Sequence, residues 1–197
     1  MEENEPTGSS GMNKPLTEDQ IVRSTVGALQ PLNGTIYLAS YDPAWPVLFS
    51  RLEQQIREAL SDGVLLLEHV GSTSVPGLSA KPVIDMVLTV ADSSQEAAYV
   101  KPLEEKGFML RIREPDWHEH RLLKPPEING NLHVFSDGCE EIERMLLFRD
   151  WLRNHADDRL LYEKTKRDLA TRTWKYTQNY ADAKTEVVWE IMRRAHR

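Results

Sequence analysis

Residues 68–90 constrain the fold of this chain more than any other stretch. A turn of small residues separates two apolar runs there, and it consists of Gly71, Ser72, Thr73 and Ser74. The pattern predicts a strand, a phosphate-sized loop and a second strand. Gly71 permits a backbone path that a Cβ would obstruct, and the hydroxyl and N–H groups after it suit a negatively charged group.

The second apolar run, at 83–90, carries one carboxylate, Asp85. A carboxylate inside a buried strand is costly unless it meets a cation. We therefore expect Asp85 to reach the strand surface and hold a metal or a positive partner. Lys81, four residues earlier, is a candidate to bind a phosphate, and its alternative is an exposed loop charge.

Four segments together resemble the GrpB family. They are the YDPAWP stretch at 41–46, HVGSTSVPGLSAKPVID at 69–85, NLHVF at 131–135 and FRDWLR at 148–153. They follow in the family's order and extend from about residue 36 to the C-terminus. The family belongs to the nucleotidyltransferase-fold superfamily, so the resemblance implies that fold more firmly than it implies a substrate.

The resemblance also implies roles for the central residues. In the nucleotidyltransferase fold the Gly-Ser turn binds nucleotide phosphates, and two carboxylates at alternate positions of the next strand hold Mg²⁺ with a third from a neighbouring strand. Side chains at i and i+2 of a strand share a face, so both carboxylates reach one ion. Gly71, Ser72 and Asp85 match this arrangement, and they predict a magnesium-dependent site.

Two positions depart from that pattern. Val87 stands where the second carboxylate belongs, and Asn131 or His133 takes the third position. Either Glu68 or Glu119 completes the ligand set, or the chain carries out different chemistry. Both alternatives stay open at the level of the sequence.

The histidines support a competing hypothesis. His118 and His120 stand at i and i+2, and His133 lies on a nearby predicted strand, so three imidazoles would be able to bind Zn²⁺ or another transition metal. His118 is alternatively a surface-loop residue, and His133 a hydrogen-bonded strand residue beside Asp85. A further hypothesis makes His133 a general base near the phosphate site.

Other basic and aromatic residues receive simpler predictions. Of Arg121 and Lys124, at most one is expected to face the cleft. Arg149 interrupts an apolar helical stretch, and contact with the ligand competes with an internal ion pair to Asp150 or another acid. Surface positions are favoured for Lys166, Lys175 and Lys184, and core packing for Trp117, Trp174 and Tyr180.

The remaining pattern predicts an α+β fold with a mixed sheet of four or five short strands, helices on its faces and a C-terminal helical portion. Strands are predicted at 35–39, 108–113, 120–124 and around 132–134, in addition to those at the central turn. Helices are predicted from Thr17 to about Gly27, from Asp42 to about Gly63 and from Ser93 or Ser94 to about Lys106. Three more follow Cys139, and we expect them to pack on the sheet and form one wall of the cleft.

Composition limits the class of protein. The polar residues 1–14 are predicted to be a disordered tail, and residues 15–197 a single domain. We find no apolar signal core and no membrane span, and the single cysteine, Cys139, fits a reducing cytoplasmic setting. Binding to long duplex nucleic acid is disfavoured by a net charge of −7, although the segment from 139 onward holds 13 Lys or Arg against 11 Asp or Glu.

Three functions are consistent with these observations. The first is binding of a nucleotide or other phosphorylated ligand, with Mg²⁺-dependent group transfer. Fusions of the family to dephospho-coenzyme A kinase keep a pantetheine-type ligand open. The second is a non-catalytic ligand-binding module, and the third a transferase that uses another activated substrate such as aminoacyl-tRNA.

Overall fold

The computed structural model describes residues 15–197, and the predicted tail at 1–14 lies outside them. The strands are β1 Leu66–Val70, β2 Ile84–Val90, β3 Met109–Glu114, β4 His120–Lys124 and β5 Gly130–Ser136. The helices are α1 Glu18–Ser24, α2 Ala44–Leu60, α3 Val100–Glu105, α4 Glu140–Asn154, α5 Ala156–Ala170, α6 Thr177–Asp182 and α7 Thr185–Ala195. Within the described range no helix combines the length and the apolar character needed to cross a membrane.

The five strands form one mixed sheet in the order β1-β2-β5-β4-β3. Strands β2 and β5 pair in parallel, and the neighbouring pairs are antiparallel. The β3–β4 hairpin therefore precedes β5 in the chain, but in the sheet it forms the edge beyond β5. This mixed sheet with flanking helices confirms the predicted α+β class.

One face of the sheet forms the main hydrophobic core. Alternate residues of β2, including Met86 and Leu88, point to this face and are fully buried. Leu52 and Ile56 of α2 pack against them, as does Leu103 of α3. Helices α2 and α3 thereby cover this face and leave the opposite one for the polar residues of the central strands.

The opposite face carries Asp85, and the register shows what lies beside it. Asp85 pairs with Val70 of β1 on one side and with Asn131 of β5 on the other. Val87, two residues along β2, pairs with His133. Helix α4 covers the apolar end of this face, where Ile142 packs on Val87 and its neighbours.

The C-terminal helices pack on the segment that follows the central turn. Val75 and Leu78 join a cluster with residues of all three long C-terminal helices, namely Leu152 of α4, Tyr162 of α5 and Ile191 of α7. This packing confirms that the C-terminal helical portion lies beside the turn. It also brings side chains of α5 close to residues 71–79.

Local sequence explains where the first helices begin. The Thr17 hydroxyl accepts from the N–H of Gln20 while the Gln20 side chain accepts from the N–H of Thr17, which forms a capping box for α1. The Asp42 carboxylate accepts a 2.8 Å hydrogen bond from the N–H of Ala44 at the start of α2. Both starts were predicted from these residues.

Two predicted elements are wrong. Residues 35–39 form no strand, because the segment makes only isolated bridges, at Ala39 within it and at Gly34 just before it. The helix predicted from Ser93 or Ser94 begins only at Val100. Ser93 is buried and its N–H donates to Ser136 Oγ at 2.9 Å, so it anchors the end of the sheet instead of capping a helix.

Candidate functional site

The turn after β1 depends on Gly71. Gly71 has φ +68° and ψ −172°, a combination that side-chain-bearing residues rarely adopt, and residues 72–74 then form one 3-10 turn. A Cβ at Gly71 would lie 2.6 Å from Asp85 Oδ2. The glycine therefore allows the turn to pass directly over the Asp85 carboxylate.

The three hydroxyl groups of the turn have different partners. Thr73 Oγ1 donates to the carbonyl of Val83 at 3.0 Å and is hydrogen-bonded to His69 Nε2. Ser74 Oγ donates to the carbonyl of Gly71 at 2.6 Å. Thr73 and Ser74 are buried, and their hydroxyls hold the turn together. Ser72 is the half-buried member of the three, and its hydroxyl faces a cation described below.

Asp85 is half-buried and lies at the centre of this face. Asn131 Nδ2 donates to Asp85 Oδ1 at 2.6 Å, so the amide in the third-strand position orients the carboxylate. Burial raises the pKa of Asp85, while the Asn131 hydrogen bond and neighbouring lysines oppose that rise. Lysines therefore lie near the carboxylate, and that Asp85 holds a metal stays a prediction.

The lysines near Asp85 belong to a group that we call the lysine pocket. Its members are Lys81, Lys124, Lys166 and Lys184. Three of them, Lys81, Lys184 and Lys124, are close enough to Asp85 to favour its charged form. Lys184 in turn lowers the pKa of Lys166, so the fourth lysine belongs to the same cluster. None of the four forms an ion pair in the described part of the chain.

Burial makes two of these lysines weak bases. It lowers the pKa of Lys166 to about 7 and that of Lys81 to about 8, and Lys184 adds to both effects by charge repulsion. A bound anion would restore the charged form of each ammonium group. A negative charge beside these two lysines would therefore be favourable.

Two members of the lysine pocket were expected on the surface: Lys184, which is half-buried, and Lys166, for which the expectation was clearly wrong. Lys166 is 2% exposed. Its Nζ donates to Ser72 Oγ at 3.0 Å and to the carbonyl of Ser79. The spacing Tyr162, Lys166, Leu169 on the buried side of α5 was the available signal, because a lysine within an apolar stripe is seldom solvated.

Glu68 and Arg149 pair with each other. Arg149 Nη1 donates to Glu68 Oε2 at 2.7 Å and to the carbonyl of His69 at 3.0 Å, and its Nε donates to Asp150 Oδ1 at 2.8 Å. Glu68 stands opposite Val87 in the sheet. The predicted internal ion pair of Arg149 is confirmed, and it occupies the carboxylate that was a candidate to complete the metal site.

Arg121 and Glu119 are also engaged with each other, away from the lysine pocket. Arg121 pairs with Val134 in the sheet and therefore points to the face opposite Asp85. Its guanidinium contacts Glu119 at 3.1 Å and Glu96 at 2.5 Å. Lys124 is the one of the two basic β4 residues that faces the site, as predicted.

The three histidines do not converge. His118 has a φ of +53°, and its ring contacts Trp117 edge to face. His120 Nε2 lies 3.1 Å from His133 Nδ1, and His120 Nδ1 lies 2.7 Å from Glu114 Oε2. Within residues 15–197 no three His, Cys, Asp or Glu side chains form a metal-binding group, so the zinc hypothesis has no structural support.

The lack of a three-residue metal-binding group within residues 15–197 also limits how Mg²⁺ would fit. Asp85 is the carboxylate that the central strands contribute to the lysine pocket, while Glu163, near Lys166, is hydrogen-bonded to Ser79 and Arg167. The surrounding ammonium groups oppose a bare divalent cation. Mg²⁺ is commonly held by one or two carboxylates together with substrate phosphates. These residues therefore fit an ion that arrives with a phosphorylated ligand, and they do not form a metal site by themselves.

Comparison with known proteins extends the four-motif resemblance to most of the chain. The family model described as GrpB protein matches residues 35–194. A UPF0157 protein from Halalkalibacterium halodurans is 53% identical over 191 residues, covering 97% of this chain and 98% of that protein. The crystal structure of conserved protein GrpB from Enterococcus faecalis has a TM-score of 0.71 and 28% identity, covering 81% of this chain and 96% of that one. A dephospho-CoA kinase from Mycolicibacterium paratuberculosis is 28% identical over 183 residues, covering 80% of this chain and 42% of that protein.

Proposed function

We propose that this chain, which belongs to the GrpB family, binds a phosphorylated small molecule in the lysine pocket beside Ser72 and Asp85. The observation that carries the proposal is the charge balance of the site. Burial lowers the pKa of three of the four lysines, Lys81, Lys124 and Lys166, and none of the four has an ion-pair partner in the described structure.

Burial of an ammonium group without a counter-ion costs free energy, because the group loses hydration. Lys166 donates only to neutral oxygens, those of Ser72 and Ser79, so no direct contact compensates its charge. Phosphate oxygens would supply the missing negative charge and would accept hydrogen bonds from Lys166 and from the Ser72 hydroxyl. The pocket is therefore costly when empty and favourable when it holds an anion with several charges.

Two features favour a nucleotide or related phosphate ester within this class. The turn at 71–74 and the strand that bears Asp85 resemble the phosphate site of nucleotidyltransferases. The similarity to a protein named dephospho-CoA kinase adds a nucleotide with a pantetheine group as a candidate ligand. Mg²⁺, if carried in with the phosphates, would be held by Asp85 and would offset charge on the phosphate oxygens.

A narrower proposal is that the chain also catalyses transfer of a phosphate-containing group. Val87 in place of the second carboxylate argues against two-metal chemistry, because only Asp85 would contact the ions. A non-catalytic binding module is the second candidate, and this same missing carboxylate favours it. Both functions require the lysine pocket to bind phosphate.

The first test is a thermal-shift titration of the purified chain with nucleoside triphosphates, coenzyme A precursors and inorganic phosphates, each with and without Mg²⁺. A ligand that binds the native state raises the melting temperature by mass action. We expect a shift with at least one polyphosphate ligand and a smaller shift for Lys166→Met. The matched control is Lys164→Met, because Lys164 is exposed on the same helix and pairs with Asp168. Equal shifts for both variants, or none for the unmodified chain, would contradict the proposal.

A further inference from the structure

We propose that Glu114, His120 and His133 form a proton relay, and that His133 Nε2 takes the proton of a hydroxyl group on an acceptor molecule. The acceptor would then attack the phosphorylated ligand in the lysine pocket, so the inference rests on the proposed function. It assigns the second substrate to the class of alcohols and sugar hydroxyls.

Two hydrogen bonds connect the three side chains. Glu114 Oε2 lies 2.7 Å from His120 Nδ1, and His120 Nε2 lies 3.1 Å from His133 Nδ1. The two imidazole centroids are 5.2 Å apart, and the ring planes differ by 19°. Because the centroids are far apart while the two nitrogens are close, the rings lie nearly in one plane. They meet edge to edge through a hydrogen bond.

The carboxylate determines which nitrogens carry protons. An ionised Glu114 can only accept, so His120 Nδ1 carries the hydrogen. The lone pair of a neutral His120 is then on Nε2, and it accepts from the Nδ1–H of His133. His133 Nε2 is left with a free lone pair, and no described residue forms a hydrogen bond with it.

Aromatic rings pack around the inner histidine, and the outer one is partly exposed. His120 is 3% exposed, and its ring packs against Phe135 and Trp117 at centroid distances of 4.8 Å and 5.3 Å. His133 is half-buried, two residues from Asn131 on the face of the sheet that carries Asp85. The free nitrogen therefore belongs to the same face as the phosphate site.

The relay explains how a poorly basic histidine would take up a proton. Burial lowers the pKa of His133 to about 3, with further contributions from His120 and Lys124. Moving the Nδ1 proton of His133 to His120 Nε2 places the positive charge on His120, beside the Glu114 carboxylate. The other titratable groups near the relay are Lys124 of β4, which acts on His133, His118 beside Trp117, and Cys139, which belongs to the cluster that contains Phe135.

The chemical step is balanced without another reactant. The acceptor oxygen forms a bond to phosphorus while the P–O bond to the leaving phosphate or pyrophosphate breaks and that group keeps the electron pair. The acceptor proton moves to His133 Nε2, and the Nδ1 proton of His133 moves to His120 Nε2. After product release the relay returns one proton to water.

Long-range ¹H–¹⁵N NMR of the full chain tests the proton positions directly, since the sequence has only six histidines. We expect a protonated Nδ1 and a bare Nε2 on both His120 and His133 at neutral pH. A proton on His133 Nε2 in the resting state would overturn the relay.

Two variants separate the relay from a structural role. In Glu114→Gln the amide oxygen still accepts from His120, but the negative charge is gone, so proton uptake by the pair should move down by at least about one pH unit. Glu119→Gln is the matched control, because Glu119 pairs with Arg121 on the other side of the hairpin. Unchanged proton uptake in Glu114→Gln would contradict the inference.

Acylation by diethyl pyrocarbonate gives a reactivity readout that needs no known substrate. His133 should be modified at least about tenfold more slowly in Glu114→Gln than in the unmodified chain, while exposed His196 reacts equally in both. Equal rates at His133 would count against the relay. Pyrophosphate binding distinguishes the two proposals: its absence in the unmodified chain would refute the proposed function, whereas Glu114→Gln should bind it normally.

Discussion

Lys166 Nζ lies 3.0 Å from Ser72 Oγ and donates a hydrogen bond to it, which joins helix α5 to the turn at 71–74. The two residues are 94 positions apart in the chain. The contact places the buried ammonium group of Lys166 against the phosphate-sized turn. The C-terminal helical portion therefore contributes directly to the candidate binding site.

Replacing Lys166 by methionine should weaken pyrophosphate binding by about 10- to 100-fold. Hydrogen bonds to charged groups contribute about 1.5–3 kcal/mol, and methionine keeps most of the buried stem. Isothermal titration calorimetry at pH 6, where Lys166 is charged, measures the effect. Lys164→Met should bind as the unmodified chain does, because Lys164 is solvated and paired with Asp168. A loss of less than threefold in Lys166→Met would remove this residue from the site.

Anion affinity should fall as pH rises through 7 to 8. The pKa values of Lys166, about 7, and Lys81, about 8, lie below the ordinary lysine value in the free protein. A bound anion raises both, so affinity is fully present below these values and is lost as the free lysines deprotonate. Sulfate is a suitable probe because its charge is constant over this range.

The Lys166→Arg variant is the control for that pH profile. Arginine stays charged throughout the range, so part of the decline in sulfate affinity should disappear. Affinity that is flat from pH 6 to pH 9 in the unmodified chain would contradict the assignment of the lysines.

Asp85→Asn should separate the contribution of metal from that of direct phosphate binding. Without Mg²⁺ the variant should bind pyrophosphate about 5- to 10-fold more tightly, because a negative charge that repels the ligand is removed. Any strengthening of binding by Mg²⁺ should disappear. Titration of both proteins with pyrophosphate, in Mg²⁺ and in chelator, measures the two effects. If Mg²⁺ strengthens binding equally in both, Asp85 does not hold the ion.

Gly71→Ala should destabilise the fold by about 3 kcal/mol or more. Its backbone conformation is nearly exclusive to glycine, and the added Cβ would lie 2.6 Å from Asp85 Oδ2. Gly77→Ala is the matched control, since Gly77 also has positive φ but a Cβ there meets nothing within 4 Å. We expect about 1–2 kcal/mol for Gly77→Ala. Urea unfolding of both variants gives the comparison, and equal losses would show that contact with Asp85 has no part.

Arg149→Met should lower stability by about 1–3 kcal/mol and leave pyrophosphate affinity unchanged in the folded protein. The variant removes a buried guanidinium that bridges Glu68, Asp150 and the carbonyl of His69, while Glu68 stays solvated and Asp150 keeps its contact with Arg153. Arg57→Met, which breaks an exposed pair with Glu53, should change stability by about 0.5 kcal/mol or less. A selective loss of pyrophosphate binding in Arg149→Met would instead place Arg149 at the ligand.

Strands were predicted correctly where the alternation of residue types along the chain was sufficient to identify them. Strand β4 spans His120–Lys124 as predicted, and β3 is displaced by one residue from its predicted position. The predicted strand at 35–39 has the right residue types but finds no neighbouring strand. Ser93 has the right type for a helix cap, yet it bonds to Ser136 on β5. Both errors concern pairing with segments distant in the sequence, which is absent as a ladder at 35–39 and present at Ser93.

The sequence by itself determined the turn at Gly71, the single carboxylate at Asp85 and the α+β class, because these depend on residue types at short spacing. Tertiary structure decided which charges serve the site. In the folded chain Glu68 is paired with Arg149, and Arg121 points to the sheet face opposite Asp85. Lys166 is buried against Ser72. Those outcomes depend on desolvation and on contacts between segments far apart in the chain, and neither is encoded in local residue order.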